Sequence, residues 1–225
     1  MKLTVFNGSP RGKGGNTKIF LEHFLNGFVT KEGNIYELAY LNRTKDQDRF
    51  LKLFQEAENV LLAFPLYCDA MPAMVKTFIE SLEPLCGRKD NPDIGFIIQN
   101  GFPEAIHNRY VARYLKKLAS RLGCKCVGTI IKGGGEGARI MPARYKKAFN
   151  TFYRLGQIYG ETGQFNAELV RRLAKPERFS KPVALLFKFL LKTKPFKFGW
   201  DRMLKENGAF ERRFDKPYFV ESEGR

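Results

Sequence analysis

The chain is expected to form an α/β domain in which a doubly wound, five-stranded parallel sheet is covered by helices on both faces. Short apolar runs alternate with helical periodicities five times along residues 1–163, which is the pattern of strands joined by crossover helices. The run at residues 59–64 is almost entirely apolar, as a central strand buried on both faces must be. This pattern stops after residue 163, so residues 164–225 are predicted to be a separate, basic and mainly helical C-terminal extension.

The order of the elements predicts where a ligand would bind. The strands are predicted at residues 2–6, 34–39, 59–64, 93–99 and 124–131, and the helices at residues 18–25, 49–57, 73–85, 104–122 and 142–160. Right-handed crossovers and a strand order of 2-1-3-4-5 leave a crevice between the first and third strands, at their carboxyl ends. We therefore expect the loops after these two strands to carry functional residues.

The loop at residues 7–17 has the composition of an anion site. It follows the first strand, contains four glycines and leads into a helix, so backbone N–H groups and the positive end of the helix can converge on one ligand. Ser9 and Thr17 supply hydroxyl donors, either Arg11 or Lys13 supplies a positive charge, and Asn16 is expected to cap the helix. The loop is predicted to hold a phosphate group.

Two better-known phosphate loops fit less well. A P-loop needs four residues between its glycines, whereas three separate Gly8 from Gly12, and Gly14 rather than a hydroxyl residue follows Lys13. The dinucleotide fingerprint needs a third glycine where Thr17 stands. An ordinary glycine-rich surface turn remains the alternative.

The two ends of this loop resemble a known family. Gly8-Ser9-Pro10-Arg11 and Gly15-Asn16-Thr17 are similar to the FMN-phosphate loop of the flavodoxin-like NAD(P)H-dependent FMN reductases and quinone reductases. The resemblance implies that the following residues bind the phosphate of FMN: Ser9, Pro10, Arg11, Gly15, Asn16 and Thr17.

A second stretch resembles the same family. Pro65-Leu66-Tyr67 is followed by Met71-Pro72, and residues 76–80 read Lys-Thr-Phe-Ile-Glu, as they often do in these reductases. The resemblance implies that this loop lies along one face of the flavin ring and that the loop after the fourth strand lines the other side. The implied cofactor residues are Pro65, Leu66, Tyr67 and Cys68 on one side and Asn100, Gly101 and Phe102 on the other.

Three points around this site stay open in the sequence. Tyr67 either stacks on a substrate or fills its loop. Cys68 is either redox-active or a packing thiol, and the packing thiol is the favoured interpretation. Residues 133–137 either approach the flavin or form a plain glycine-rich loop.

The resemblance implies an FMN-dependent oxidoreductase that takes a hydride from NAD(P)H and passes electrons to a quinone, flavin or similar small acceptor, as a homodimer. Flavin carries the redox chemistry, so no catalytic side chain is assigned. No metal set or catalytic triad is predicted. The alternative is a non-enzymatic flavodoxin-fold adaptor or an electron carrier that uses a basic tail to bind a membrane or a partner.

Composition and sequence patterns indicate the cellular compartment and the kind of partner to expect. The four cysteines show neither a CxxC pair nor the spacing of a metal site, which favours reduced thiols and a cytoplasmic protein. The sequence has no uncharged apolar run long enough to span a membrane, and no signal-peptide pattern. The net charge of +16 favours anionic partners.

Much of this charge lies in the extension. Residues 171–197 contain nine Lys or Arg and one Glu, and they surround an apolar run at residues 183–191. Packing on the core or on a second subunit, and binding to an anionic membrane surface that would make the protein membrane-peripheral, both remain open. Nucleic-acid binding is disfavoured, because no recognised nucleic-acid motif accompanies the charge.

Overall fold

The computed structural model describes residues 1–190, 193 and 201–216. Its centre is a five-stranded, all-parallel sheet in the order β2-β1-β3-β4-β5, which confirms the predicted flavodoxin-like fold. The strands are β1 (Lys2–Asn7), β2 (Ile35–Tyr40), β3 (Asn59–Pro65), β4 (Asp93–Gln99) and β5 (Cys126–Lys132). Every residue of β3 and β4 is buried except the first residue of each strand, as expected for strands that helices cover on both faces.

Six helices pack with the sheet in the first unit of the chain, and a seventh follows. They are α1 (Asn16–Phe28), α2 (Gln47–Gln55), α3 (Ala73–Ser81), α4 (Arg109–Leu122), α5 (Pro142–Thr162), α6 (Ala167–Leu173) and α7 (Lys181–Leu190). Two separate apolar clusters form the core, one containing side chains of α2, α3 and α4 and the other containing side chains of α1, α5 and α6. The sheet is therefore doubly wound, as predicted.

Two predicted helices differ at their ends. The helix predicted at residues 73–85 ends at Ser81 and continues as a separate 3₁₀ turn, Glu83–Leu85, because Pro84 has no N–H for a helical hydrogen bond. The helix predicted at residues 104–122 begins with a 3₁₀ turn, Ala105–Asn108, before α4 starts at Arg109.

Helices α1 and α5 cross at unusually short range. A Cβ atom added to Gly156 would lie 1.8 Å from the carbonyl oxygen of Phe24, and one added to Gly27 would lie 1.9 Å from that of Tyr153. The absence of side chains at these two positions lets the two backbones touch. The crossing therefore fixes the two helices against each other along this face of the sheet.

The first compact unit extends to Arg178, beyond the boundary predicted at residue 163. Leu169 and Leu173 of α6 are buried in the core cluster that contains α1 and α5. The backbone N–H of Ala105 donates to the carbonyl oxygen of Pro176 at 2.9 Å, and Glu177 forms an ion pair with Arg109. Residues 164–178 thus belong structurally to the sheet domain.

The second unit comprises residues 179–225, of which 179–190, 193 and 201–216 are described. Helix α7 contains most of the apolar run predicted at residues 183–191, and it buries none of its side chains. The predicted aromatic positions Trp200, Tyr218 and Phe219 lie outside the described residues. Among the residues described, no helix is long and apolar enough to cross a membrane.

Candidate functional site

The loops that follow β1, β3 and β4 meet at one edge of the sheet. Parallel strands bring their carboxyl ends to the same edge, and β1 and β3 are neighbours although β2 lies between them in sequence. The two stretches singled out in the sequence, residues 7–17 and 65–72, therefore lie at the topological switch point of the sheet, as the predicted strand order requires.

The loop after β1 contains buried polar groups. Ser9 is 2% exposed and Thr17 is fully buried at the first turn of α1. The hydroxyl oxygen of Thr17 has no hydrogen-bond partner among the described residues. A buried hydroxyl without a partner is uncommon, and the N–H groups of a first helical turn lack partners within the helix as well. The unpaired Thr17 hydroxyl at the start of α1 is a donor that a bound phosphate group could use.

Gly15 is required for this geometry. A Cβ atom at Gly15 would lie 2.5 Å from the hydroxyl oxygen of Ser9, so any larger residue would push Ser9 away from the start of α1. Ser9 is also held from the other side, because its N–H donates to the side-chain oxygen of Asn7 at 2.9 Å.

The expectation that Asn16 caps α1 is wrong. Gly15 is the N-cap, and Asn16 is the first residue of the helix. The Asn16 side chain instead donates to the carbonyl oxygen of Glu136 at 2.9 Å and accepts from the N–H of Arg139 at 3.2 Å. Arg11 forms an exposed ion pair with Glu136 at 3.2 Å. Both residues therefore tie the loop after β1 to the loop between β5 and α5.

A cavity of about 280 Å³ lies between the loops after β3 and β4. All the residues predicted to contact the flavin ring line this cavity: Pro65, Leu66, Tyr67, Cys68, Asn100, Gly101 and Phe102. Three further lining residues were not predicted: Asp69, Gln99 and Glu136. Gln99 and Asn100 are buried, and their side-chain oxygens have no hydrogen-bond partner among the described residues. Unpaired amide groups in a cavity suit the polar edge of a heterocyclic ring.

The tip of the loop after β3 has a constrained backbone. Tyr67 and Ala70 exchange two backbone hydrogen bonds of 2.9 and 3.0 Å, and the two residues between them have positive φ angles, 48° at Cys68 and 61° at Asp69. Non-glycine residues in the left-handed region cost about 1–3 kcal/mol each and occur preferentially at functional sites. The turn holds Tyr67 half out of the surface, with 46% exposure, so it does not fill its own loop.

The favoured interpretation of Cys68 as a packing thiol is wrong. Cys68 is exposed, and the only buried cysteine is Cys124. The tight turn rather than a burial requirement sets the position of Cys68, because a residue at the tip of a two-residue turn points away from the core.

Asp69, His107 and Glu136 are site residues that the sequence alone did not indicate. Asp69 lies 3.2 Å from Nδ1 of His107, and His107 stacks on the ring of Phe102 at a centroid distance of 4.7 Å. No nucleophile stands near His107 in the sequence, and its partner Asp69 comes from a loop 38 residues away. Glu136 joins the cavity from still further along the chain.

The glycine-rich loop after β5 approaches the site. The N–H of Gly135 donates to the carbonyl oxygen of Asn100 at 2.7 Å, and the N–H of Gly134 donates to that of Phe102 at 2.6 Å. The loop therefore forms one wall of the cavity through Glu136.

The fold, with its functional loops at the carboxyl edge of the sheet, defines a flavodoxin-like protein. The chain is similar to the Trp repressor binding protein from Bacillus subtilis (TM-score 0.55, 21% identity, 68% of this chain and 96% of that one). It is also similar to an azoreductase from Bacillus anthracis str. Sterne (TM-score 0.55, 14% identity, 71% of this chain and 98% of that one). A third similar structure is an NAD(P)H:quinone oxidoreductase from Methanothermobacter marburgensis (TM-score 0.55, 17% identity, 73% of this chain and 99% of that one). At these identities the likeness establishes the fold.

The family is indicated by the sequence itself. Residues 1–93 match the model of the family described as NADPH-dependent FMN reductase. This match confirms the family resemblance for that part of the chain, and with it the predicted enzyme class, a nicotinamide-dependent flavin oxidoreductase, and FMN as the cofactor. A search of curated proteins found no match.

Proposed function

We propose that this protein binds FMN at the switch point of its sheet, takes a hydride from NAD(P)H and passes electrons to a quinone, a flavin or a similar small acceptor. The observation that carries the proposal is the fully buried, unpaired hydroxyl of Thr17 at the start of α1. The family match over residues 1–93 supports the same cofactor.

The phosphate of FMN would be held by the loop after β1. Thr17 and Ser9 would donate their hydroxyl hydrogens, and the first N–H groups of α1 would add partial positive charge. Arg11 is paired with Glu136, so its guanidinium would interact with both the Glu136 carboxylate and the phosphate. Pro10 and Gly15 would shape the loop.

The flavin ring would occupy the cavity between the loops after β3 and β4. Residues 65–68 would border one side, and Asn100, Gly101 and Phe102 the other. Bound FMN supplies the hydride acceptance and electron release, and the protein orients it and tunes its environment through hydrogen bonds. Asn100 would turn its amide toward the ring, and the exposed rings of Tyr67 and Phe102 would receive a planar substrate.

Spectroscopy of the purified protein tests this function. FMN-loaded protein should be yellow, and its visible band should bleach on anaerobic addition of NAD(P)H and return when a quinone is added. A protein that binds FMN without bleaching would be an electron carrier. A protein that cannot be reconstituted with FMN would contradict the proposal and favour the adaptor.

We also propose that the second unit attaches the enzyme to an anionic membrane surface, and that the enzyme is a homodimer. Within α7, Leu185, Leu186 and Phe189 are 57–69% exposed, and the surrounding segment is strongly basic. A short helix of this kind suits the interface of a bilayer rather than its interior.

Vesicle binding and sedimentation test these two points. The protein should co-sediment with phosphatidylglycerol vesicles and not with phosphatidylcholine vesicles, and Leu186→Glu with Phe189→Glu should abolish the binding. Equal recovery of the variant and the parent protein on anionic vesicles would contradict the role of α7. Analytical ultracentrifugation of both proteins gives the subunit number, and a shift of the variant to monomer would instead assign α7 to the dimer contact.

A further inference from the structure

A second and larger cavity lies on the sheet domain, between α5, α6 and the loop after β5. Its volume is about 660 Å³. Every charged residue that lines it is basic: Lys132, Arg144, Lys147, Arg154, Arg172 and Lys175. We call this cavity the basic groove.

The positive charge of the basic groove is hardly compensated. Within the described part of the chain, only Arg172 among the six forms an ion pair, with Glu168 one turn earlier on α6. Lys132 is half-buried, donates to the carbonyl oxygen of Gly133, and lies 5.8 Å from the centre of the Tyr145 ring. Burial lowers the pKa of Lys132. Like charges that face one cavity repel each other, and an anionic ligand would relieve that repulsion.

The walls of the groove also offer apolar surface. Leu169 and Leu173 are almost fully buried beneath it, and Tyr145, Ala148 and Pro103 add an aromatic ring and aliphatic contacts. A cavity with apolar walls and a few converging charges is typical of a site for a small molecule. The matching ligand has a flat or apolar body and at least one phosphate group.

The basic groove adjoins the cavity assigned to the flavin. Phe102 lines the flavin cavity, and the next residue, Pro103, lines the groove. On the facing loop, Gly134 lines the groove, and Glu136, two residues later, lines the flavin cavity. The hydrogen bond from Gly134 to Phe102 joins these two loops into a single wall. A long ligand could therefore have one end at the flavin and the other in the groove.

We propose that the basic groove binds the adenosine 2′-phosphate end of NADPH and thereby makes the enzyme prefer NADPH to NADH. This inference rests on the proposed function, because it places the nicotinamide end of the same molecule at the flavin. NADH differs from NADPH only by lacking that phosphate, which carries about −1.5 to −2 charges at neutral pH. Lys147 and Arg154, exposed along one side of α5 and without ion pairs in the described chain, are assigned the role of selecting this phosphate.

The test uses charge reversal with a matched control. The test variant is Lys147→Glu with Arg154→Glu, and the control variant is Lys116→Glu with Lys117→Glu, two exposed lysines on α4, which packs in the other core cluster. With FMN-loaded protein at fixed ionic strength, the test variant should raise the KM for NADPH at least tenfold and leave the KM for NADH within twofold. The control variant should change the ratio of the KM for NADPH to the KM for NADH by less than twofold.

Calorimetry separates the groove from the flavin chemistry. Adenosine 2′,5′-bisphosphate should bind the parent protein at least tenfold more tightly than 5′-ADP, which has the same number of phosphates, and the test variant should lose this difference. Equal binding of the two nucleotides, or an equal loss in the test and control variants, would overturn the assignment. If FMN binds and bleaches while adenosine 2′,5′-bisphosphate does not bind, the groove assignment alone fails. If FMN does not bind, the proposed function fails, whatever the nucleotide does.

Discussion

Replacement of Thr17 by valine is expected to weaken FMN binding at least tenfold and to make the cofactor-free protein more stable. Valine has nearly the same shape as threonine, so the packing at the start of α1 should survive. The lost hydrogen bond to a charged phosphate is worth about 1.5–3 kcal/mol, which corresponds to about tenfold or more in affinity. In the cofactor-free protein the hydroxyl is buried without a partner, and such a group costs about 1–3 kcal/mol.

Fluorescence titration with FMN and urea unfolding of the cofactor-free protein measure the two effects. Thr77→Val is the matched control, because the Thr77 hydroxyl is exposed on α3 and donates to the carbonyl oxygen of Ala73. It should leave FMN affinity within twofold. An unchanged FMN affinity in Thr17→Val would remove Thr17 from the phosphate site.

Replacement of Gly156 by alanine is expected to lower the free energy of unfolding by about 3 kcal/mol or more. Overpacking of a core typically costs about 1–3 kcal/mol, and here the new methyl group meets the backbone carbonyl of Phe24 rather than a side chain that can turn away. Helices α1 and α5 would have to separate. Since domains of this kind are stable by only about 5–15 kcal/mol, the loss should be large in a urea titration.

Gly14→Ala is the control for this experiment. A Cβ atom at Gly14 meets nothing within 4 Å, so its unfolding midpoint should stay close to that of the parent protein. A Gly156→Ala protein as stable as Gly14→Ala would show that α1 and α5 do not cross as closely as described.

The fold was predictable because its signals are local. A few consecutive residues are enough to recognise the apolar runs of β3 and β4 and the glycine-rich loop after β1. The strand order then brings the loops after β1 and β3 to one crevice. The residues that border the flavin cavity on its two sides were found in the same way, since each directly follows a strand.

The remaining features depend on contacts between distant parts of the chain. Asn16 has the composition of a helix cap, but the loop after β5 supplies it with partners 120 and 123 residues away. The pairing of Asp69 with His107 and the collection of cations in the basic groove likewise depend on tertiary placement. Side-chain type alone does not reveal whether a lysine on α5 faces water or a shared cavity.

The tie between Arg11, Asn16 and Glu136 has a consequence for biosynthesis. The partners are 120 to 125 residues apart, so the loop after β1 is synthesised long before the loop between β5 and α5. The site proposed for FMN is therefore complete only after the loop between β5 and α5 has been synthesised. A nascent chain that stops at residue 93, the end of the family match, contains only the first three strands and lacks the loops after β4 and β5.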